Sequence, residues 1–395
     1  MKIAPTLSKK QAVSIINSLK KGTPPDTGVE LFSEGREELL AYFNNKLKEV
    51  KEYNTSDVKF ISADWGHGKS HFFDLLRDLS LTQNFIVSKV ELKSNEVSFD
   101  QLSLVVQRMM ANIITPKERI NGLEALLNKW SAKNSRKSDE QLFKDLANVG
   151  IFPDMRLKLV EYAKHYNCPE GRESQECLNL LKWFQGTETK AKTFKSVPEF
   201  IRGFTLFIRL CGYSGLVVLF DETEAVVSLS RIGRRDLANE NIRQVIDNDG
   251  DTQNFYLVFA STSSFLSGED DHGAQNYPAL WRRINDPLQE LKTHSLEKVI
   301  IELPELSEDQ FVKIALKIKH IFQIYSGKEL SEVSEKNLAH LAHYVKTAKD
   351  RNVGTMVRST VALLEEAVRG DPAFMSRFEL VVGKAMEQEE RDRAS

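Results

Sequence analysis

The sequence is 395 residues long, with 54 Lys plus Arg against 56 Asp plus Glu, a formal net charge of −2, and 41% hydrophobic residues. That balance excludes a global attraction to nucleic acid or anionic membranes, so any DNA contact has to be local. The apolar fraction excludes a disordered or fibrous chain, and at roughly 100–200 residues per domain the length implies two packed units or one domain with an insertion.

No run approaches the roughly 18–20 apolar residues needed to cross a bilayer. The opening MKIAPTLSKKQ has no apolar signal-peptide core. The chain therefore reads as cytoplasmic. Cys168, Cys177 and Cys211 form no CxxC pair, which suggests reduced thiols and neither a disulfide framework nor a zinc site.

Val13, Ile16 and Leu19 recur at helical spacing before Gly22, Pro24 and Pro25, and a second helix is expected over about 34–50. VKFISAD at 58–64 reads as a buried strand, WGHGKS as a loop and HFFDLLRDL as the next helix. FIVSKVEL at 85–92 supplies a second strand after one helix, the rhythm of a parallel sheet. GLVVLFDE at 215–222, FYLVFAST at 255–262 and KVIIELP at 298–304 are continuously apolar, as strands buried on both faces must be, giving five core strands. Between the second and third strands, about 110–200 shows helical spacing and no strand. After 304 the pattern is helical to about 385, opening at Ser307 with acidic residues in the first turn. MEQEERDRAS at the end has nothing to bury.

These elements predict an α/β fold: a parallel sheet with covering helices, a helical insertion and a C-terminal helical lid. The expected divisions are a helical lead-in at 1–50, a core at 51–304 with the insertion at about 110–200, and a lid at 305–395.

Residues 63–70, Ala63, Asp64, Trp65, Gly66, His67, Gly68, Lys69 and Ser70, fit the phosphate-binding pattern GxxxxGK[ST] everywhere but at Ala63. Gly66 and Gly68 let backbone N–H groups turn inward around a phosphate, and the helix starting near Lys69 adds the partial charge of its N-terminus. Lys69 is expected to reach the β- and γ-phosphates and Ser70 to ligate Mg²⁺. Trp65 and His67 line the same loop, and His71 falls on the first turn of the helix.

GLVVLFDE delivers Asp221 and Glu222 to the carboxyl end of a strand, where open α/β sheets bind ligands. Asp221 is expected to hold Mg²⁺ through its water shell, and Glu222 to orient and deprotonate the attacking water. Ser261 to Ser264 offer hydroxyls for a γ-phosphate or the lytic water if their strand lies between the two motif strands. Thr262 is the choice, with a turn or helix cap as the alternative. Arg234, Arg235, Arg282, Arg283 and Arg358 are candidates for stabilising charge on the transferred phosphoryl group. Basic runs at Lys190, Lys192 and Lys195, beside Phe194, and at Lys313, Lys317 and Lys319 read by default as solvated helix faces. The histidines show no metal spacing.

The chain resembles the BREX-system BrxD-like ATP-binding proteins and their relatives in other bacterial phage-defence loci, including those beside a TerB-like protein and a helicase. The likeness rests on Gly35-Arg36-Glu37, the ADWGHGKS loop, LVVLFDE with the following Glu224, the LVFAST strand and the lead-in AVSIINSLKKGTPPDTGVELFSEGREELL. Such proteins resemble AAA-type origin-recognition ATPases, in which a Gly-Arg element lies near the adenine and a lid arginine approaches the γ-phosphate. Arg36 and Arg358 are the counterparts by position. The chain departs at Ala63 and carries Ser70 where relatives often have threonine, which preserves the hydroxyl.

With the phosphate-loop motif, the resemblance implies a P-loop NTPase (AAA-like) α/β fold and an ATP- and Mg²⁺-dependent ATPase subunit of an anti-phage defence system. Its expected partners are other subunits, a helicase, DNA or further copies of itself, and no membrane. The alternatives are a nucleotide-gated scaffold with little hydrolysis, a small-molecule kinase using 110–200 to shape an acceptor pocket, and a GTPase. Glu222 beside Asp221 disfavours the kinase, and the lack of an Asn-Lys-x-Asp motif disfavours the GTPase.

Overall fold

The computed structural model describes residues 7–169, 171–187, 197–247, 252–267, 273–285, 295–347, 352–370, 374 and 377–378. In chain order they form α1 (Lys9–Lys20), α2 (Glu37–Tyr53), β1 (Ser56–Ser62), α3 (Lys69–Thr82), β2 (Ile86–Glu91), α4 (Leu102–Ala111) and β3 (Ile113–Ile114). There follow α5 (Gly122–Lys133), α6 (Asp139–Asn148), α7 (Pro153–Tyr166), α8 (Gln175–Phe184), α9 (Val197–Leu210), β4 (Leu216–Asp221) and α10 (Ile232–Asp247). The remainder are β5 (Phe255–Ser261), α11 (Ser263–Ser267), α12 (Pro278–Ile284), β6 (Ile300–Glu302), α13 (Glu308–Ser326), α14 (Glu335–Thr347) and α15 (Val353–Arg369). Two compact units result: Leu40–Ser62 with Leu76–Glu302, and Met1–Leu39 with Ala63–Leu75 and Leu303–Ser395.

The first of these holds the sheet, ordered β3-β2-β4-β5-β1-β6. β2, β4, β5, β1 and β6 are parallel, and β3 is antiparallel to β2. Five parallel strands with none between the second and third were expected, so β3 corrects both the count and the wholly parallel sheet. A two-residue edge strand leaves no periodicity to find. Every residue of β4 and β5 is buried, the cause of their unbroken apolar sequences. Phe259 of β5 stacks between Phe60 of β1, at 4.7 Å, and Phe220 of β4, at 5.1 Å. Gly215 brings the start of β4 so near β5 that a Cβ there would lie 2.1 Å from the Asn254 carbonyl oxygen.

From β3 to β4 the described chain is helical. Ser138 caps α6 and Ser174 caps α8 through side-chain oxygens that accept from Gln141 N and Cys177 N. α9 buries Phe200, Phe204 and Phe207 on its apolar face, and Phe207 meets Trp130 of α5 edge-on at 5.4 Å. Lys190, Lys192, Phe194 and Lys195 lie outside the described residues.

In the other unit, Ser8 and Gln11 form a capping box that starts α1. The face of α1 that packs on α13 and α15 is Ala12, Ile15, Ile16 and Leu19; Val13, expected on it, is only half-buried. α13 starts with a second capping box, Ser307 with Gln310, and ends at Gly327 in the left-handed conformation. Lys317 donates to the Ser33 carbonyl at 2.7 Å and pairs with Glu34, while Lys319 donates to the Val333 carbonyl at 2.6 Å. Of that basic run only Lys313 is simply exposed, so the expected solvated face is corrected: the long side chains of the other two reach acceptors on neighbouring segments. Among the described residues, no helix is long and apolar enough to cross a membrane.

Candidate functional site

β1 is buried through to Ser62, and the chain leaves it through loop 63–68 into α3. Gly66 has φ +79° and Gly68 φ +91°, conformations that cost a side-chain-bearing residue steric strain. His67 N donates to the Asp64 carbonyl at 3.3 Å and Phe72 N to the Gly68 carbonyl at 2.9 Å, so the loop tightens directly into the helix. The first N–H groups of a helix have no acceptor of their own within it and carry partial positive charge. Lys69 is buried; its Nζ donates to the Ala63 carbonyl at 2.6 Å and lies 5.3 Å from the ring centre of Trp65, which is 63% exposed. Ser70 and His71 lie on the first turn of α3, where His71 packs 5.2 Å from the Phe32 ring. His67 Nε2 is 3.9 Å from Glu305.

The same unit brings two further residues to this loop. The buried guanidinium of Arg36 donates from Nη2 to the His67 carbonyl at 3.2 Å, and from Nη1 to Pro304 at 2.7 Å and Gly35 at 3.2 Å. Burial lowers its pKa to about 10, against the opposing pull of Glu37. Asn352, the N-cap of α15, accepts from Thr355 N through Oδ1 at 2.8 Å. Its side chain lies against Gly66, and Val353 lies against Gly68. Arg358, further along α15, is exposed, with Cδ 3.3 Å from where a Gly22 Cβ would be.

In the sheet unit, Asp221 ends β4 with 4% exposure, its Oδ1 accepting from Glu222 N at 3.1 Å. Glu222 takes φ +62°. Among the described residues the other non-glycine residues with positive φ are all asparagines, which tolerate that region, so Glu222 alone carries the strain of a long side chain there. Thr262, buried after β5, accepts from Phe265 N at 3.4 Å and lies 3.2 Å from the Ser264 hydroxyl, the local cap that its alternative reading anticipated. β5 lies between β4 and β1, with Ser62 opposite Ser261 and Phe220 opposite Phe259. The parallel strands therefore bring the carboxyl ends of β1, β5 and β4 to one edge of the sheet.

The arginine candidates separate. Arg234 pairs with Asp100 at 2.6 Å, Arg235 donates to the Leu229 carbonyl at 2.7 Å, and Arg283 pairs with Asp247 at 2.9 Å. Arg282 is exposed on α12, and neither it nor Arg358 makes an ion pair among the described residues.

Residues 7–368 match the model of the family described as BREX system ATP-binding protein BrxC/D. The chain belongs to that family. No curated protein matches it.

For this BrxC/D-family chain the family description makes ATP the ligand and phage defence the setting. Arg36 and residues 65–71 are gathered in one unit, on the same body as α15; Asp221, Glu222 and Thr262 are gathered at one sheet edge in the other. Sequence reasoning missed Asn352 and the Pro304 carbonyl. Asn352 does carry a signal, an Asn three residues before Thr355 at the start of a helical pattern, but that signal announces a cap and says nothing of Gly66. Pro304 acts through its backbone, which a side-chain motif cannot reveal.

Proposed function

We propose that this BrxC/D-family protein binds Mg-ATP and hydrolyses it, using the cycle to assemble with partners of the BREX defence system such as a helicase, DNA or further copies of itself. The observation that carries the reading is the strand order: β1, which runs into the glycine loop, and β4, which ends in Asp221 and Glu222, are parallel and separated only by β5. The carboxyl edge of such a sheet is where ligands bind.

The loop's chemistry fits a polyphosphate. Gly66 and Gly68 hold positive φ, α3 begins at the residue after Gly68, and Lys69 already holds its ammonium on a loop carbonyl, a setting in which loop and helix N–H groups receive phosphates. The donors also fit Mg²⁺. Among the described residues no three His, Cys, Asp or Glu side chains are grouped to hold a metal by themselves. Mg²⁺ characteristically takes one or two protein oxygens and completes its shell with waters and substrate phosphates. Ser70 and Asp221 are those oxygens in this reading, the latter through water. Held there, the ion would supply positive charge to offset the negative charge that develops as the phosphoryl group is transferred.

Lys69 then moves from the Ala63 carbonyl to the β- and γ-phosphates, exchanging a neutral acceptor for charged ones. Glu222 accepts the proton of the attacking water, and its positive-φ backbone suits a residue under functional constraint. Thr262 orients that water or the γ-phosphate through its hydroxyl, and Arg358 approaches the γ-phosphate from the C-terminal helices.

Phosphate release from ATP by wild type and by Glu222→Gln, with and without double-stranded DNA, tests the reading beside ATP-binding assays of both. Loss of turnover in the variant with binding retained supports hydrolysis at this residue. Tight binding without turnover in the wild type replaces the ATPase with the nucleotide-gated scaffold. Stimulation by DNA makes DNA the partner.

A further inference from the structure

Arg36 is 3% exposed, and among the described residues its donors reach backbone oxygens alone. His67 lies in the middle of the glycine loop, and Pro304 joins β6 to the C-terminal helices. The guanidinium also comes near Gly68, with Nη2 3.9 Å from where a Cβ there would be. Two links of chain more than two hundred residues apart in sequence are thus held by one fork-shaped cation, a geometry that lysine cannot reproduce with its single ammonium. The positive charge stays next to the loop; among the described residues no carboxylate bonds to it, Glu37 acting on it through charge alone, so an anion brought nearby is favoured.

We propose that Arg36 is a positioning residue, clamping the His67 carbonyl to the Pro304 carbonyl and thereby fixing the loop's shape and positive potential for a polyphosphate, without contacting the base. The proposal deepens the Mg-ATP reading above and rests on it for its ligand. It separates Arg36 from the adenine role implied by resemblance. Arg36 acts through the loop, so its effect scales with the number of phosphates and leaves the nucleoside untouched. Pro304 being the other end of the clamp, the start of the C-terminal helices feels the same change.

The test uses the full-length chain with Arg36→Gln and Arg36→Lys. Hydrogen exchange in nucleotide-free protein is followed at 63–68 and 303–306, and affinities for ATP, ADP and AMP are measured by calorimetry. Arg36→Gln is expected to raise exchange at both segments together and to weaken ATP by about tenfold or more, equivalent to about 1.4 kcal/mol, with a smaller loss for ADP and little for AMP. Arg36→Lys keeps the charge and loses the fork, so exchange rises while part of the ATP affinity returns; if the glutamine variant does not fold, this variant decides alone. An equal loss for ATP, ADP and AMP overturns the proposal in favour of a base contact, and unchanged exchange at either segment overturns the clamp. If the wild type binds no nucleotide at all, the Mg-ATP reading fails, and with it the ligand half of the proposal, while the exchange data still decide the clamp.

Discussion

Asn352 and Gly66 touch so closely that a Cβ on Gly66 would lie 2.5 Å from the Asn352 Cγ and 2.7 Å from its Cβ. Through Oδ1 the same asparagine caps α15, so the first turn of a C-terminal helix is seated on the glycine loop. Gly66→Ala meets two separate penalties, the contact with Asn352 and a left-handed backbone that costs roughly 1–2 kcal/mol for an L-residue. ATP affinity is expected to fall by about tenfold or more, each factor of ten being about 1.4 kcal/mol. Calorimetry on Gly66→Ala, Asn352→Gly and the double variant separates the penalties: removing the whole Asn352 side chain, Cβ included, recovers part of the loss, and strict additivity of the two would exclude the contact as a cause.

Lys69 and Trp65 supply an optical report on the loop. The Lys69 ammonium lies 5.3 Å from the indole and donates to the Ala63 carbonyl, and Trp65 is largely exposed. A polyphosphate that draws the ammonium away changes the environment of the indole. ATP titration is therefore expected to change tryptophan fluorescence saturably in the wild type. Trp65→Phe should lose that signal yet still bind ATP, and Lys69→Ala should lose binding by about tenfold or more, a lost contact to a charged acceptor contributing about 1.5–3 kcal/mol. A saturable signal that persists in Trp65→Phe would move the response to Trp130, Trp183 or Trp281 and remove this account.

The long buried strands were legible because burial on both faces leaves continuous apolar runs, as at Leu216 to Asp221 and Phe255 to Ser261. Their ends were less so: SAD at 62–64 reads as strand by composition, yet only Ser62 pairs before the loop begins. Of the candidate site, the glycine positions and acidic pair were legible as local strings. The strain at Glu222, the two backbone oxygens held by Arg36 and the seat of Asn352 were not, because each depends on φ or on contacts between segments far apart in sequence. The separation of the arginines likewise needed their partners: nothing adjacent to Arg234 in the sequence points to Asp100.

Glu240 ties α10 to α12 and gives the sheet unit a measurable acid dependence. It accepts from Arg243 at 2.5 and 2.8 Å, from Gln244 at 3.0 Å and from the Tyr277 hydroxyl at 2.9 Å. Bonding to Arg243, then to Gln244, lowers its pKa from 4.5 to about 2. A carboxyl depressed in the folded state contributes stability that is present above the unfolded value and is lost as pH falls from about 4.5 toward 2. Glu240→Gln is thus expected to be less stable than wild type at pH 7, by about 1 kcal/mol or less for so solvent-screened a group. The difference should close as pH falls through that window. Urea unfolding at several pH values measures it, and a difference that stayed constant down to pH 2.5 would assign the loss to packing of α12 alone.

Phe259 is the central ring of a stack that runs across the two motif strands. It is fully buried in β5, stacked at 4.7 Å on Phe60 of β1 and at 5.1 Å on Phe220 of β4. Phe259→Ala removes a ring between two others that are themselves held by backbone ladders, so they close the gap poorly and a cavity remains. The expected loss is about 3–5 kcal/mol of unfolding free energy, the range for phenylalanine truncation in a core that relaxes little. Phe259→Leu keeps most of the volume and should lose less than about 1.5 kcal/mol. Urea midpoints should fall with slopes unchanged, since the surface exposed on unfolding is nearly the same. A loss below about 1 kcal/mol in the alanine variant would mean that Phe60 and Phe220 meet across the gap. β1 and β4 would then have to approach each other, which the intervening ladder of β5 resists through its bonds to both.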